Sequence, residues 1–513
     1  MERKGSVMLS DSSLWKLIEA RADATPDALM AVDENMETLT FGDFAIESER
    51  AAAGLSALGG GVGTVVSWQL PTWIESFILV GALSRLGAVQ NPILPIYRER
   101  EVGFVTRQAG ADLIVVPSVW NGFDFEAMAT GVARENGDCG VLVADKALPQ
   151  GDPSSLPPFV TPGPDDIRWL FYPSGTTSDP KGARHTDNSI AAVGKGMSDR
   201  LALIPADRSA LIFPFTHIGG ITWLFSSLQT GCSLILMESF HPERTPEVLS
   251  REGVTVAGSG TPFHMAYLAA QKKSPVPIFP NVRCFPGGGA PKPPQLVHDM
   301  RELFDAPILS GYGLTEAPIL TMASVDDSDE ELALTEGKPM PGVEIRLVTP
   351  DGRVAGPGED GEIRAKAPQL MKGYLDASLD ADAFDAEGYF RTGDLGRFDD
   401  QGNVIITGRL KDIIIRKGEN VSAKEVEDLL FTHPSVGDVA VIGVPDADRG
   451  EMVVAVVSTA EGASALTMPD MATFLTGEGL MIQKVPERLE VVDAIPRNPS
   501  GKILKQELKD RFS

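Results

Sequence analysis

The chain has 513 residues, 43% of them hydrophobic and 23% charged, the composition of a folded protein longer than one ordinary domain. A formal net charge of −26 argues against nucleic acid or an anionic membrane as partner, so any bound polyphosphate needs cations placed locally. Three cysteines, Cys139, Cys232 and Cys284, stand far apart with no metal-ligand spacing, which argues against a disulfide framework or a structural zinc and for a reducing, cytoplasmic compartment.

In chain order, apolar periodicity predicts helices over 14–24, 44–58, 73–86 and 98–109, alternating with strands over 64–70, 88–92 and 113–117. This is the alternation of an α/β layered body. The run Gly59-Gly60-Gly61-Val62-Gly63 follows a helix and precedes a strand, the reverse of a dinucleotide loop, and reads as a turn. Residues 146–166 are Pro-rich and form a surface connection. Residues 210–237 carry no Asp, Glu, Lys or Arg, but Pro214, Gly219, Gly220 and Gly231 favour a buried loop, helix and strand over a membrane span. Short strands among Gly and Asp turns make 337–408 β-rich. After residue 408 the pattern changes to a compact α+β unit, with a capping signature at Ser422–Glu425 opening a helix. The predicted division is 1–408, a hinge at 409–411, and 412–513.

The sharpest chemical feature is Tyr172-Pro-Ser-Gly-Thr-Thr-Ser-Asp-Pro-Lys-Gly182, directly after the apolar run 167–171. Hydroxyls, glycines and one lysine in a loop leaving a strand suit a polyphosphate, whose oxygens take hydrogen bonds while Lys181 supplies charge. Pro180 before the lysine distinguishes it from a Walker loop.

This stretch resembles the phosphate loop of the adenylate-forming superfamily of acyl-CoA synthetases, adenylation domains and luciferases. Six further segments resemble that family in the same order: Pro214–Gly220, Gly287–Pro291, Gly311–Glu316, Tyr389–Asp394, Gly408–Lys411 with 414–425, and Pro496–Lys502. The resemblance implies a large N-terminal domain of α/β layers plus a β-rich subdomain, and a small mobile α+β C-terminal domain. It implies that ATP, Mg²⁺ and CoA are used. By that resemblance Ser174, Gly175, Thr176, Thr177 and Lys181 take the phosphates. Gly289, Ala290, Pro291 and Tyr312 take adenine, Gly313 also binds ATP, Asp394 takes the ribose, and Arg409 positions the ribose or a phosphate. Thr315 contacts the α-phosphate, Glu316 holds Mg²⁺, and Lys502 bridges the attacking carboxylate and the α-phosphate. His217, Ile218, Gly219, Gly220 and Gly258 form the acyl pocket, with His217 also counted as catalytic. Lys411 is the hinge, and Gly418, Glu419 and Asn420 serve CoA. Read without the motifs, each has an ordinary alternative: a solvated glutamate, a core tyrosine, an aspartate in a turn, a surface lysine.

The chemistry agrees with such roles. A carboxylate attacking a phosphate meets like charge, so cations must offset the repulsion. The pocket region lacks the Asp that would hold an amino acid's ammonium group, and Ile218, Ile221, Trp223 and Phe263 suggest an apolar wall. Trp68–Pro71 and Asn91–Arg98 resemble medium-chain and cyclohexanecarboxylate-type CoA ligases. The expected activity is therefore an AMP-forming ligase joining CoA to an aliphatic, alicyclic or aromatic acid, with oligomeric state open. Alternatives are an adenylating enzyme that loads a carrier protein in trans, a weakened ATP-binding module, and, remotely, oxidative light-emitting chemistry. The weakened module is suggested by Pro173 and Ser178, which depart from the family's loop.

Overall fold

The computed structural model describes residues 8–10, 13–137, 139–173, 180–289, 292–417, 419–446, 449–498 and 501–513, with Glu419 as backbone only. Residues Leu14–Ala24, Phe41–Ala57, Ile74–Leu86 and Glu99–Ala109 are helices. Ser13 and Thr40 cap the first two by accepting from Lys16 and Asp43 amides, and Gly87 and Gly110 end the last two in left-handed conformations. The strands Val65–Trp68, Val89–Pro92, Leu113–Val116 and Trp169–Phe171 lie in a six-stranded, mainly parallel sheet. Its outer members are Gly140–Val143 and the antiparallel Ala183–His185.

A second sheet takes Arg208–Leu211, Ser233–Leu236 and Leu29–Asp33 in parallel, with Thr38–Thr40 antiparallel at its end. The hairpin Leu29–Thr40, the helix Phe125–Glu135 and the strand Gly140–Val143 are not among the predicted elements. The uncharged stretch 210–237 contains the end of one strand, the helix Ile218–Thr230 and the strand Ser233–Leu236, whose four residues are all buried. Among the described residues no helix is long and apolar enough to cross a membrane. One continuous core runs from Leu14 to Met340 and contains Trp15, Trp68, Trp169 and Tyr267.

Two more sheets shape the site. Phe285–Gly288 runs parallel to Ile308–Tyr312, followed by antiparallel Thr321–Met322 and Lys338–Pro339. Glu344–Val348, Gly361–Lys366, Phe390–Phe398 and Val404–Arg409 form an antiparallel sheet. The chain then makes one 3-10 turn, Leu410–Asp412, and enters a five-stranded sheet with its own core. In that sheet Val439 and Val441 pack with Val426, Leu430, Met471 and Leu475. Ala440, Ile442 and Val444 point the other way, onto Leu508 and Phe512. Period-2 alternation with apolar residues at both phases is what a strand covered on both faces requires. The fold is thus mixed α/β, with a large N-terminal and a small C-terminal domain.

Residues Glu419–Ser422 form a strand paired with Ile413–Arg416. One local expectation needs correction. The Ser422–Glu425 signature is only half a capping box: Ser422 Oγ accepts from the Glu425 amide, but the Glu425 carboxylate pairs with Lys484 at 2.6 Å.

Candidate active site

A cavity of about 1060 Å³ opens where the strands Trp169–Phe171, Phe285–Gly288, Ile308–Tyr312 and Phe390–Phe398 end or turn. Close strand approach builds one wall. Gly288 pairs with Gly311, and a Cβ on Gly288 would fall 2.6 Å from the Gly311 carbonyl oxygen, so the pair needs glycine there. Gly289 follows at φ 75° and, with Gly313, lines the cavity.

Register places the next group. Asp394 and Arg409 are direct partners across two antiparallel strands. Arg409 Nε donates to Asp394 Oδ1, and the Tyr312 hydroxyl donates to Asp394 Oδ2 at 2.8 Å. Asp394 is 2% exposed, so these contacts compensate a buried carboxylate. Burial opposes the Arg409 charge, but Asp394 holds its pKa above the ordinary arginine value. Burial, then the Asp394 charge, pushes the Tyr312 phenol well above its usual range, so it remains a donor. A ribose diol would share the Asp394 oxygens with these two partners rather than meet a bare carboxylate.

Thr315 and Glu316 follow on the loop after Ile308–Tyr312. His185, a buried residue of the edge strand, sits with Nε2 2.9 Å from the Thr315 carbonyl oxygen and fixes that loop. Its burial lowers the imidazole pKa to about 4, so it is neutral. Glu316 is 8% exposed and accepts the Tyr374 hydroxyl at 2.8 Å on Oε1. Lys181 Nζ lies 5.6 Å from the centroid of the same Tyr374 ring. Tyr374 therefore stands between Lys181 and the Glu316 carboxylate. Among the described residues no group of three or more His, Cys, Asp or Glu could hold a metal. One buried carboxylate in the cavity still fits Mg²⁺, a hard cation that takes oxygen ligands and keeps several waters.

Lys502 reaches the cavity from the C-terminal domain. Its amide donates to Asn498 Oδ1 at 2.9 Å and its carbonyl accepts from the Asn498 amide at 2.9 Å. Burial, then the charges of Arg409 and Lys411, lowers the ammonium pKa to about 8. Lys411 lies exposed on the turn Leu410–Asp412 and also lines the cavity. Lysine and arginine thus gather in one place on a strongly acidic chain.

The other end is apolar. His217 caps the helix Ile218–Thr230, its Nδ1 accepting from the Gly219 amide at 3.1 Å. Burial lowers its pKa to about 4, so the ring is neutral. Phe213, Ile218, Gly219, Trp223 and Phe263 line the cavity beside it. Three expected pocket residues do not. Gly220 faces the Phe215 backbone, where a Cβ would lie 2.5 Å from the carbonyl oxygen. Gly258 accepts the Tyr267 hydroxyl at 3.0 Å on its carbonyl oxygen and packs near Pro286. Ile221 is 0% exposed in the core. Their small or apolar character serves helix and strand packing.

Ser174, Gly175, Thr176, Thr177 and Ser178 of the phosphate loop, together with Ala290, Pro291, Gly418 and the Glu419 side chain, lie outside the described residues. Pro173 is described and lines the cavity. Asn420 is exposed, pairs with Ile415 and does not line it. Two cavity residues have no motif of their own, Tyr374 on Glu316 and Lys505, paired with Glu427 at 2.7 Å, nor has the buried His185 behind Thr315. A lone tyrosine or histidine carries no local signal of the residue that it supports.

A mixed α/β body whose cavity sets cations and glycines against an apolar end has the layout of an enzyme that joins a phosphate-bearing substrate to an apolar one. The AMP-binding enzyme family matches residues 18–375, and the AMP-binding enzyme C-terminal domain matches residues 425–502. The chain belongs to this family and is an adenylate-forming ligase. It is 30% identical over 508 residues to a medium-chain fatty-acid–CoA ligase of Escherichia coli, covering 96% of this chain and 89% of that protein. It is also 30% identical over 524 residues to a salicyl-AMP ligase / salicyl-S-ArCP synthetase of Mycobacterium tuberculosis, covering 97% and 90%. ATP-bound MatB from Rhodopseudomonas palustris superposes with a TM-score of 0.86 at 27% identity, covering 97% of this chain and 99% of that one.

Proposed function

We propose that the protein is an AMP-forming carboxylic acid–CoA ligase acting on an apolar acid, with its domains divided near residues 409–411. The observation that carries this reading is one cavity lined by Lys502, by the Asp394–Arg409–Tyr312 group, by Thr315 and Glu316, and by the apolar wall around Trp223. In this reading Lys181 and Lys502 offset the charge of phosphate and carboxylate as they approach. Asp394 accepts the ribose hydroxyls, and Arg409 holds that carboxylate in place. Glu316, oriented by Tyr374, would hold Mg²⁺, which screens phosphate charge when bound. Neutral His217 offers a polar edge without adding a charge to the acyl end. The acid chain lies among Phe213, Ile218, Trp223 and Phe263, where burial of apolar surface supplies affinity.

A second reading, transfer of the acyl group to a carrier-protein thiol, is supported by the likeness to the salicyl-AMP ligase / salicyl-S-ArCP synthetase. One experiment separates these. Pyrophosphate release is measured across a panel of fatty, alicyclic and aromatic acids, with CoA, with a phosphopantetheinylated carrier, and with neither. The ligase reading expects acid-dependent pyrophosphate and a CoA thioester. Thioester on the carrier alone would favour the second reading, and ATP binding without pyrophosphate from any acid would favour the weakened module.

A further inference from the structure

Lys292 is a buried lysine to which neither the motifs nor the proposed chemistry gives a part. It is 8% exposed, and lysine is seldom buried unless something holds its charge. Here Nζ donates to Ser310 Oγ at 2.7 Å and to the Thr335 carbonyl oxygen at 2.6 Å, with Glu336 Oε1 at 3.7 Å. Burial lowers its pKa, opposed chiefly by Glu336. Each contact lies one step from the nucleotide wall. Lys292 follows the glycine turn of Gly287, Gly288 and Gly289. Ser310 is two residues before Tyr312 on the strand that pairs with that turn. Glu336 lines the cavity, and its amide donates to the Val404 carbonyl at 2.8 Å, at the start of the strand that ends in Arg409.

We propose that Lys292 is a positioning residue of the nucleotide site. Its ammonium joins the glycine turn, the Tyr312 strand and the 335–336 segment, setting the gap into which adenosine fits. The lysine that follows the glycine turn thus bridges the Tyr312 strand and the 335–336 segment through one cation. An apolar side chain of similar length would fill the volume without the desolvation cost of a buried charge, but would leave Ser310 and the Thr335 carbonyl unpaired. The assignment rests on the nucleotide reading of the cavity given above.

The test is binding of a non-hydrolysable ATP analogue with Mg²⁺, by calorimetry, to the full-length parental protein, to Lys292→Met, to Ser310→Ala and to the double variant, with steady-state KM for ATP and for acid measured alongside. Lys292→Met is expected to weaken the analogue by roughly 10- to 100-fold, the range typical for losing an outer partner of a site. Its KM for acid should stay within about threefold, and Ser310→Ala should shift nucleotide affinity in the same direction by less. The double variant should lose less than the sum of the two, because both act through one contact. Unchanged nucleotide affinity in folded Lys292→Met, or equal rises in both KM values, would overturn the positioning role. If Lys292→Met does not fold, unchanged affinity in Ser310→Ala overturns it. Absence of saturable binding by the parental protein would overturn the nucleotide reading as well.

Discussion

Lys502 combines two properties that a charge-offsetting lysine needs: a place in the cavity and a proton it can hold at neutral pH. Lys502→Ala should slow adenylate formation from acid and ATP by about 10²–10³-fold, the usual loss for one electrostatic contact in a transition state. Thioester formation from a supplied acyl-adenylate should persist, which separate assays of the two half-reactions will show. The lowered pKa makes a second prediction. The cationic form is the active one and is lost as pH rises through about 8, well before an ordinary lysine would deprotonate. For the adenylation step, kcat/KM should therefore fall with rising pH above about 8. The limb in kcat should lie higher, because bound phosphate favours the cation. A profile flat to pH 10 would remove Lys502 from the step. Glu316→Gln keeps the Tyr374 hydrogen bond but removes the negative charge, so the Mg²⁺ concentration for half-maximal rate should rise about tenfold or more. An unchanged Mg²⁺ titration would mark Glu316 as structural.

At the scale of elements, pairing register does much of the work. Asp394 meets Arg409 because Phe390–Phe398 and Val404–Arg409 are antiparallel and in that register, and a one-residue slip of either strand would turn its side chain to the face opposite its partner. The C-terminal sheet offers a direct check of burial on two faces. Ile442→Ala should destabilise that domain by roughly 2–5 kcal/mol, and Val441→Ala, which points to the opposite face, by somewhat less. Denaturant melts of the two variants will test this. Indifference at either position would mean that one face is open to water.

At the scale of the molecule, Lys411 is the residue on which the two-domain reading turns. It sits on a single turn between the sheet that carries Asp394 and the sheet of the C-terminal domain. Proline there fixes φ and removes the N–H, which locks torsion where a truncation does not. Lys411→Pro should release pyrophosphate in a single turnover at close to the parental rate, while CoA thioester formation falls by orders of magnitude. Lys411→Ala should be far milder. Parental acyl-CoA output from Lys411→Pro would rule out a rotation at this turn, and parallel loss of both half-reactions with a lower Tm would indicate misfolding.

The helices 14–24, 74–86 and 99–109 are legible because their signals are local: the Ser13 cap on the first, and the terminators Gly87 and Gly110 on the other two. The strand Leu29–Asp33 is not. It exists because Ala31, Val32 and Asp33 pair with Leu234, Ile235 and Leu236, some two hundred residues away, and no window of sequence contains that partner. The site divides in the same way. Motif chemistry put Tyr312, Asp394, Arg409 and Lys502 forward, because loops that bind phosphate and ribose need particular side chains in a short span. Gly220 and Gly258 were misread because a glycine that makes room for a ligand and one that makes room for a neighbouring backbone are the same letter. Tyr374, His185 and Lys292 touch Glu316, Thr315 and Ser310, and those contacts arise when separate strands and loops converge. The sequence by itself determined the local geometry and the reactive groups. Tertiary packing decided which groups meet, because a hydrogen bond across a fold depends on distance in space and not on spacing along the chain.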